Sequence, residues 1–265
     1  MVVEHLLRTI ELKKNPKNAF LLAILLSTLG IFVSLVLFIE YASVVMLFFV
    51  AIGFLPILES LFEIEEKEEE NAKGLKQILL RNKQVFEVYF YFFLGLVVSY
   101  LFWYLMLGNM SAQIFNQQLI MVSGPGGAFP SFLHILMNNI LVLTAFFFIS
   151  LLYGAGSIFI LAWNASIFST LLIESARAAQ VGLAAGMAKS VLAFSLHSIP
   201  EFAAFFLAAN AGAVLSVGLI KERHKKIGLG NVVTDAFVLL ILGYLVIIIA
   251  GVIEVTISKS LILGL

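Results

Sequence analysis

Long apolar stretches alternate with short polar segments along the whole chain, and this pattern predicts a bundle of membrane-spanning helices. Crossing a hydrocarbon core of about 30 Å takes about 20 apolar residues in an α-helix. Seven stretches reach or approach that length, so we predict an all-α polytopic fold with residues 1–265 forming a single transmembrane domain. The predicted spans are residues 19–38, 41–62, 86–107, 132–152, 157–173, 191–220 and 236–257.

Two features of these spans depend on glycine and proline. The fourth and fifth spans form one apolar run, which we divide at Gly154 and Gly156 because near-adjacent glycines lower helix propensity and favour a tight turn. The sixth span is long and contains Pro200, which lacks the N–H that a helix interior uses. We expect a bend there, or a break into two half-helices.

Basic residues predict the orientation of the bundle. Residues 1–18 carry four Lys or Arg, residues 63–84 carry five and residues 221–226 carry four, so 13 of the 16 lie in segments that seven spans place on one side. Because Lys and Arg accumulate in short cytoplasmic loops, we predict a cytoplasmic N-terminus. No small-residue cleavage pattern follows the first span, which we therefore interpret as a retained anchor.

This orientation makes residues 63–84 a charged cytoplasmic loop and residues 108–131 an uncharged external loop. The cytoplasmic loop opens with a run of glutamates. Such a run is more often a solvated charged face than a surface that docks a partner, and we keep docking as the weaker interpretation. The residues concerned are Glu65, Glu66, Glu68, Glu69 and Glu70.

Composition excludes several other classes of protein. Hydrophobic residues make up 62% of the chain and charged residues 12%, against roughly 45–50% and 25% in a soluble domain. Acidic and basic residues balance at 16 each, so no net charge attracts nucleic acid. The absence of cysteine excludes disulfides and thiol chemistry, and the familiar metalloprotease, serine-hydrolase and phosphate-loop motifs are missing. We expect no cofactor and a multi-pass protein of the cell membrane.

Polar side chains inside the spans are the candidates for chemistry, because an ionisable group in a bilayer costs about 2.5–3.5 kcal/mol on insertion scales. His197 and Glu201 lie one turn apart on one helix face, with Pro200 between them. From an entry near Ser190, the helix rise places His197 roughly 10 Å and Glu201 roughly 15 Å deep. Amides of the fourth and fifth spans fall at similar depths. The predicted polar cluster is Asn138 and/or Asn139, Asn164, His197 and Glu201.

Two interpretations of this cluster remain open. It is a structural clasp, whose interhelical hydrogen bonds contribute about 0.6 kcal/mol each, or it is an ion or proton site, since a desolvated glutamate beside an imidazole can couple protonation to movement. A metal site fits less well, because one His and one carboxylate provide too few strong ligands. We interpret Glu254 and His134, near the ends of their spans, as interfacial residues.

The C-terminal half combines several motifs in a fixed order. They are Asn138-Asn139 at the head of a span, the turn Gly154-Ala155-Gly156, Asn164 in the next span, and His197-Ser198-Ile199-Pro200-Glu201 before an alanine-rich helix. Over residues 132–218 this series resembles the stage II sporulation protein M family of integral membrane proteins. The family pattern has glycine after the histidine, where this chain has Ser198.

The resemblance implies site residues and a type of function. The residues it carries over are Asn139, Asn164, His197, Pro200 and Glu201. The family's namesake is similar to a membrane scaffold that acts with peptidoglycan-degrading partners during engulfment, and members also occur in prokaryotes that form no spores. A sporulation role is therefore not transferred to this chain.

Three hypotheses for function follow. The first is a non-enzymatic membrane scaffold that holds other membrane or cell-envelope proteins, in contact with the lipid bilayer and with homo-oligomerisation left open. Its main rival is a transporter or channel subunit with a proton, ion or small-solute site at His197 and Glu201. The third is an intramembrane enzyme that uses the same two residues.

Overall fold

The computed structural model describes residues 15–67, 78–80, 82–123, 132–221 and 229–258. It confirms the predicted fold class: the described residues form helices and no strand, and seven of the helices are long and apolar enough to span a membrane. We label the α-helices in chain order as α1 (Asn18–Leu37), α2 (Ala42–Lys67), α3 (Lys83–Met106), α4 (Ser111–Ile114), α5 (Asn116–Ser123), α6 (Phe132–Tyr153), α7 (Ile158–Ala178), α8 (Leu183–Lys221) and α9 (Leu229–Ile253).

The long helices follow from their uniformly apolar sequences. A bilayer offers no water to backbone N–H and C=O groups, so a spanning segment must satisfy them within itself, as an α-helix does. Single 3₁₀ turns join α1 to α2 at Ile39–Tyr41 and α6 to α7 at Gly154–Ser157. Gly154 has a φ of +58°, a left-handed conformation that glycine adopts without steric cost. This turn reverses the chain between α6 and α7.

Helix α8 is not broken at Pro200, which was one of the two outcomes expected there, and it runs for 39 residues through that proline. It also begins at Leu183, eight residues before the predicted start. Proline removes one backbone hydrogen bond, whereas the segment after it is held on several sides by close packing of small side chains. Ala204, Ala208 and Ala209 have no exposed surface at all. Tertiary packing therefore maintains the helix where the local sequence alone favours a break.

Helix α8 lies at the centre of the C-terminal half, where it packs against α6, α7 and α9. The N-terminal half is built around α1, which packs between α2 and α3. Helix α7 contacts both α2 and α3 and so joins the two halves. The core along these contacts is rich in aromatic rings, including Tyr89, Phe92 and Phe146, all fully buried.

The connection after α3 contains two short helices, α4 and α5, that sequence analysis did not identify. Between them Phe115 is fully buried, with its ring against those of Tyr100 and Tyr104. Gln118 on α5 is also fully buried, and its Nε2 donates hydrogen bonds to the Ser43 carbonyl (3.3 Å) and to Ser166 Oγ (3.1 Å). The glycine-rich part of the predicted loop, residues 124–127, lies outside the described residues.

Gln118 makes the docking of α5 testable. We expect Gln118→Ala to lower the free energy of unfolding by about 2 kcal/mol, because it removes two hydrogen bonds and leaves a cavity. Gln117→Ala is the matched control, since the neighbouring Gln117 side chain is exposed and should tolerate truncation. Reversible unfolding in mixed micelles gives both values. Equal effects of the two substitutions would contradict a docked α5.

Candidate polar cavity

A polar cavity of about 320 Å³ opens among α6, α7, α8 and the residues that follow α9. It lies toward the end of the bundle at which α6 begins and α9 ends, and we call it the polar cavity. Its polar lining residues are His134, Asn138, Asn139, Asn164, His197, Ser198, Glu201 and Glu254. Five of these eight are the residues predicted as the polar cluster.

Helix geometry explains why these side chains share one space. His134 and Asn138 are separated by four residues on α6, as are His197 and Glu201 on α8, so each pair projects from one face. Asn139 and His197 are buried, with 8% and 5% of their surface exposed, whereas His134 and Asn138 are exposed. The cavity therefore has an open part near the beginning of α6 and a buried part around α8.

Hydrogen bonds join the amides to Glu201. Asn139 Nδ2 donates to Glu201 Oε1, which links α6 to α8. Asn138 Nδ2 donates to Asn139 Oδ1 (3.3 Å), extending this chain toward the open part of the cavity. Asn164 Nδ2 instead donates to its own helix, at the Ile160 carbonyl (2.8 Å). These hydrogen bonds thus connect α6 to α8, and they leave space between these two helices and α7.

Glu254 joins the site, which sequence analysis did not predict. It follows the last residue of α9 in a π-helical turn and lines the polar cavity together with Glu201. His134 lines the same cavity from α6. Chain topology could have predicted that His134 and Glu254 lie near each other, because the beginning of the fourth span and the end of the seventh lie at the same membrane surface when helices alternate in direction.

The remaining predicted residues lie elsewhere. Pro200 is beside the cluster in sequence but is not among the lining residues of the cavity. The turn with Gly154 and Gly156 is at the opposite end of α6. Glu65 and Glu66 belong to the last turn of α2, where the structure describes the backbone alone, and residues 68–70 lie outside the described residues.

A second polar group connects α3 to α7 outside the cavity. Arg177 pairs with Glu174 at 2.8 Å, and the Tyr104 hydroxyl donates to the same Glu174 oxygen at 2.9 Å. The Arg177 guanidinium also lies over the Tyr104 ring, 5.4 Å from its centroid. This carboxyl has a cationic partner on its own helix, whereas none of the described residues that line the polar cavity is Lys or Arg.

The charged side chains of the polar cavity limit what it can bind. Two carboxyl groups line it, and none of the described lining residues is Lys or Arg. Within the described residues, no group of three His, Cys, Asp or Glu side chains is arranged to hold a metal ion. The cavity is therefore suited to a cation or to a solute rich in hydrogen-bond donors, held by oxygens and amides.

The fold and this cavity define a polytopic helical membrane protein with a polar site between its C-terminal helices. The sequence profile of the family SpoIIM, stage II sporulation protein M, matches residues 34–259, and the chain belongs to that family. The match begins near the end of α1 and includes all of α2 and α3, where sequence analysis had found hydropathy alone. Neither curated proteins nor solved structures gave a match.

Proposed function

We propose that this chain is a non-enzymatic membrane protein that binds a small cationic solute in the polar cavity, in the manner of a transporter or channel subunit. The observation that supports this most is the open volume of about 320 Å³ beside Glu201 and Glu254. If these hydrogen bonds served only to hold the helices together, we would expect tight packing around them, since each additional contact in a protein interior adds stability. In this structure the Asn139–Glu201 hydrogen bond forms and a polar space remains beside it.

The position of the site in the bundle agrees with entry from one end. Asn164 lies 14 residues before the end of α7, which corresponds to about 21 Å along the helix axis. His134 and Glu254 lie near the ends of their helices and line the route between that end and Asn164. A solute entering there meets the Glu254 carboxyl first and then the Glu201 carboxyl, which is hydrogen-bonded to Asn139.

The second candidate is the scaffold role that the family resemblance implies. The observation that favours it is the hydrogen bond from Asn139 to Glu201, which fixes α6 against α8. In this case the polar cluster stabilises the bundle, and the working surface is the acidic end of α2 with the residues that follow it. The two candidates differ in whether water and solutes reach Asn164.

Thiol labelling at Asn164 tests this difference, because the chain has no cysteine of its own. We expect Asn164→Cys to react with the cationic reagent methanethiosulfonate ethyltrimethylammonium far faster than with the anionic ethylsulfonate analogue. An ionised carboxyl group lining the same cavity attracts the cationic reagent and repels the anionic one, so the rate ratio should exceed that of a free thiol by at least about tenfold.

Ala165→Cys is the matched control, since Ala165 is the next residue on α7 and has no exposed surface. It should stay unreactive in folded protein and react after unfolding. Reaction at Asn138→Cys combined with silence at Asn164→Cys would show a dry cluster below the open part of the cavity. That result would overturn solute binding and favour the scaffold.

A further inference from the structure

A second, larger cavity borders the polar cavity. It has a volume of about 670 Å³ and lies among α3, α7 and α8, and we call it the apolar groove. Its lining consists almost entirely of aliphatic and aromatic side chains, with hydroxyls from Ser195 and Ser198 alone. Several lining residues, including Phe90, Val98 and Ile199, are exposed on spanning helices. The apolar groove therefore opens sideways toward the hydrocarbon of the bilayer.

The two cavities share part of their walls. Phe168 of α7 and both Ser198 and Phe202 of α8 line the apolar groove and the polar cavity alike. The rings of Phe168 and Phe202 meet edge to face, with centroids 5.4 Å apart. The partition between the two spaces is thus made of side chains between α7 and α8. Aromatic side chains can change rotamer without breaking any backbone hydrogen bond.

The adjoining spaces match the two ends of one kind of molecule. The apolar groove favours a hydrocarbon chain, because burial of each methylene group away from water contributes about 0.8 kcal/mol to the free energy of binding. The polar cavity presents two carboxyl groups and no Lys or Arg among its described lining residues, which disfavours a phosphate head and favours an amino group. Its amides add hydrogen-bond acceptors for the same ammonium protons.

We propose that the ligand is a long-chain amine, whose ammonium head occupies the polar cavity beside Glu201 and whose hydrocarbon chain lies in the apolar groove. The head enters from the bilayer by displacement of the Phe168 and Phe202 rings. This proposal rests on the proposed function, because it assigns a ligand class to the same cavity. It differs from that function in predicting that affinity depends on the hydrocarbon chain and on the groove.

Photolabelling tests the proposal with the full chain in phosphatidylcholine nanodiscs. The probe is a long-chain primary alkylamine with a diazirine in its chain, added in trace amount, and the matched probe has the same chain with a phosphate head. We expect the amine probe to label the α8 segment around Ile199, and excess unlabelled amine to compete. The phosphate probe should label at the background level of surface lipid.

Two matched substitutions examine the groove itself. Ile199 and Leu141 are 65% and 64% exposed on spanning helices, but Ile199 alone of the two lines the apolar groove. Ile199→Trp should reduce amine labelling about tenfold, the effect of displacing about two methylene groups. Leu141→Trp should leave it unchanged. Size-exclusion profiles of both variants check that they remain folded.

The outcomes separate this proposal from the proposed function. Equal labelling by both probes, without competition, would indicate surface lipid only and overturn the long-chain amine. If charge-selective thiol labelling at Asn164→Cys persists in that case, the polar cavity still binds small cations, and only the proposal of a long-chain amine as the ligand is wrong. If neither the amine-selective photolabelling nor the charge-selective thiol labelling is observed, both proposals are wrong.

Discussion

Replacement of Gly212 by leucine should prevent stable packing of α6 against α8, and replacement by alanine should destabilise the protein by about 1–3 kcal/mol. A Cβ at this position would overlap the Phe147 carbonyl oxygen and lie 2.8 Å from the Ser150 Cβ and 2.9 Å from the Leu151 nitrogen. Two of these three atoms belong to the backbone of α6, which cannot move aside as a flexible side chain can. The helices would have to separate.

Gly230 is the matched control for this prediction, because a Cβ there meets nothing within 4 Å. Alanine has the higher helix propensity, so Gly230→Ala should be neutral or stabilising by up to about 1 kcal/mol. Unfolding in mixed micelles measures both changes. If Gly212→Ala were also stabilising, α6 and α8 would not approach each other as closely as the structure shows.

The Gly212 contact also bears on the polar cavity. Asn139 and Glu201 are hydrogen-bonded across the same pair of helices, about two to three turns from Gly212. Pushing α6 away from α8 at Gly212 should therefore weaken this bond as well. A fall in the charge selectivity of labelling at Asn164→Cys would accompany the loss of stability in any Gly212 variant that still folds.

The sequence allowed the spanning helices and much of the site to be predicted, for a simple physical reason. A run of about 20 apolar residues has few alternatives to a membrane helix, and polar residues within such a run are conspicuous. The spacing of His197 and Glu201 and the depth of Asn164 needed helix geometry alone. The structure places all three at one cavity.

The parts that sequence reasoning missed depend on contacts between helices. Glu254 lies close enough to the end of its span to reach interfacial water, and the packing of α9 against α8 is what places it at the cavity that Glu201 lines. The contact between Phe168 and Phe202 depends on how α7 and α8 are rotated about their axes relative to each other. The sequence pattern of either helix alone does not predict this rotation. Helix α5 is eight residues long, too short for a periodic pattern to identify it.

Removal of both carboxyl groups from the polar cavity should abolish its preference for cations. We expect the double variant Glu201→Gln with Glu254→Gln to lose the cation-over-anion labelling ratio at Asn164→Cys, by at least about tenfold. Glutamine keeps the shape of glutamate and one oxygen that can accept the hydrogen bond from Asn139. The temperature of thermal unfolding should therefore change little, while the preference for the cationic reagent disappears. This result would separate the effect of the Glu201 charge from the effect of its hydrogen bond with Asn139.

A third carboxyl group provides the control for this experiment. Glu174 lies ten residues after Asn164 on α7, about 15 Å along the helix, and is paired with Arg177. Glu174→Gln changes the net charge by the same amount as either cavity substitution, but at this distance salt screens most of its effect. The labelling ratio should therefore stay within about twofold of the parent value. If Glu174→Gln lowered the ratio as much as Glu201→Gln, the selectivity would come from the surface potential at that end of the bundle, and the cavity carboxyls would have no special role.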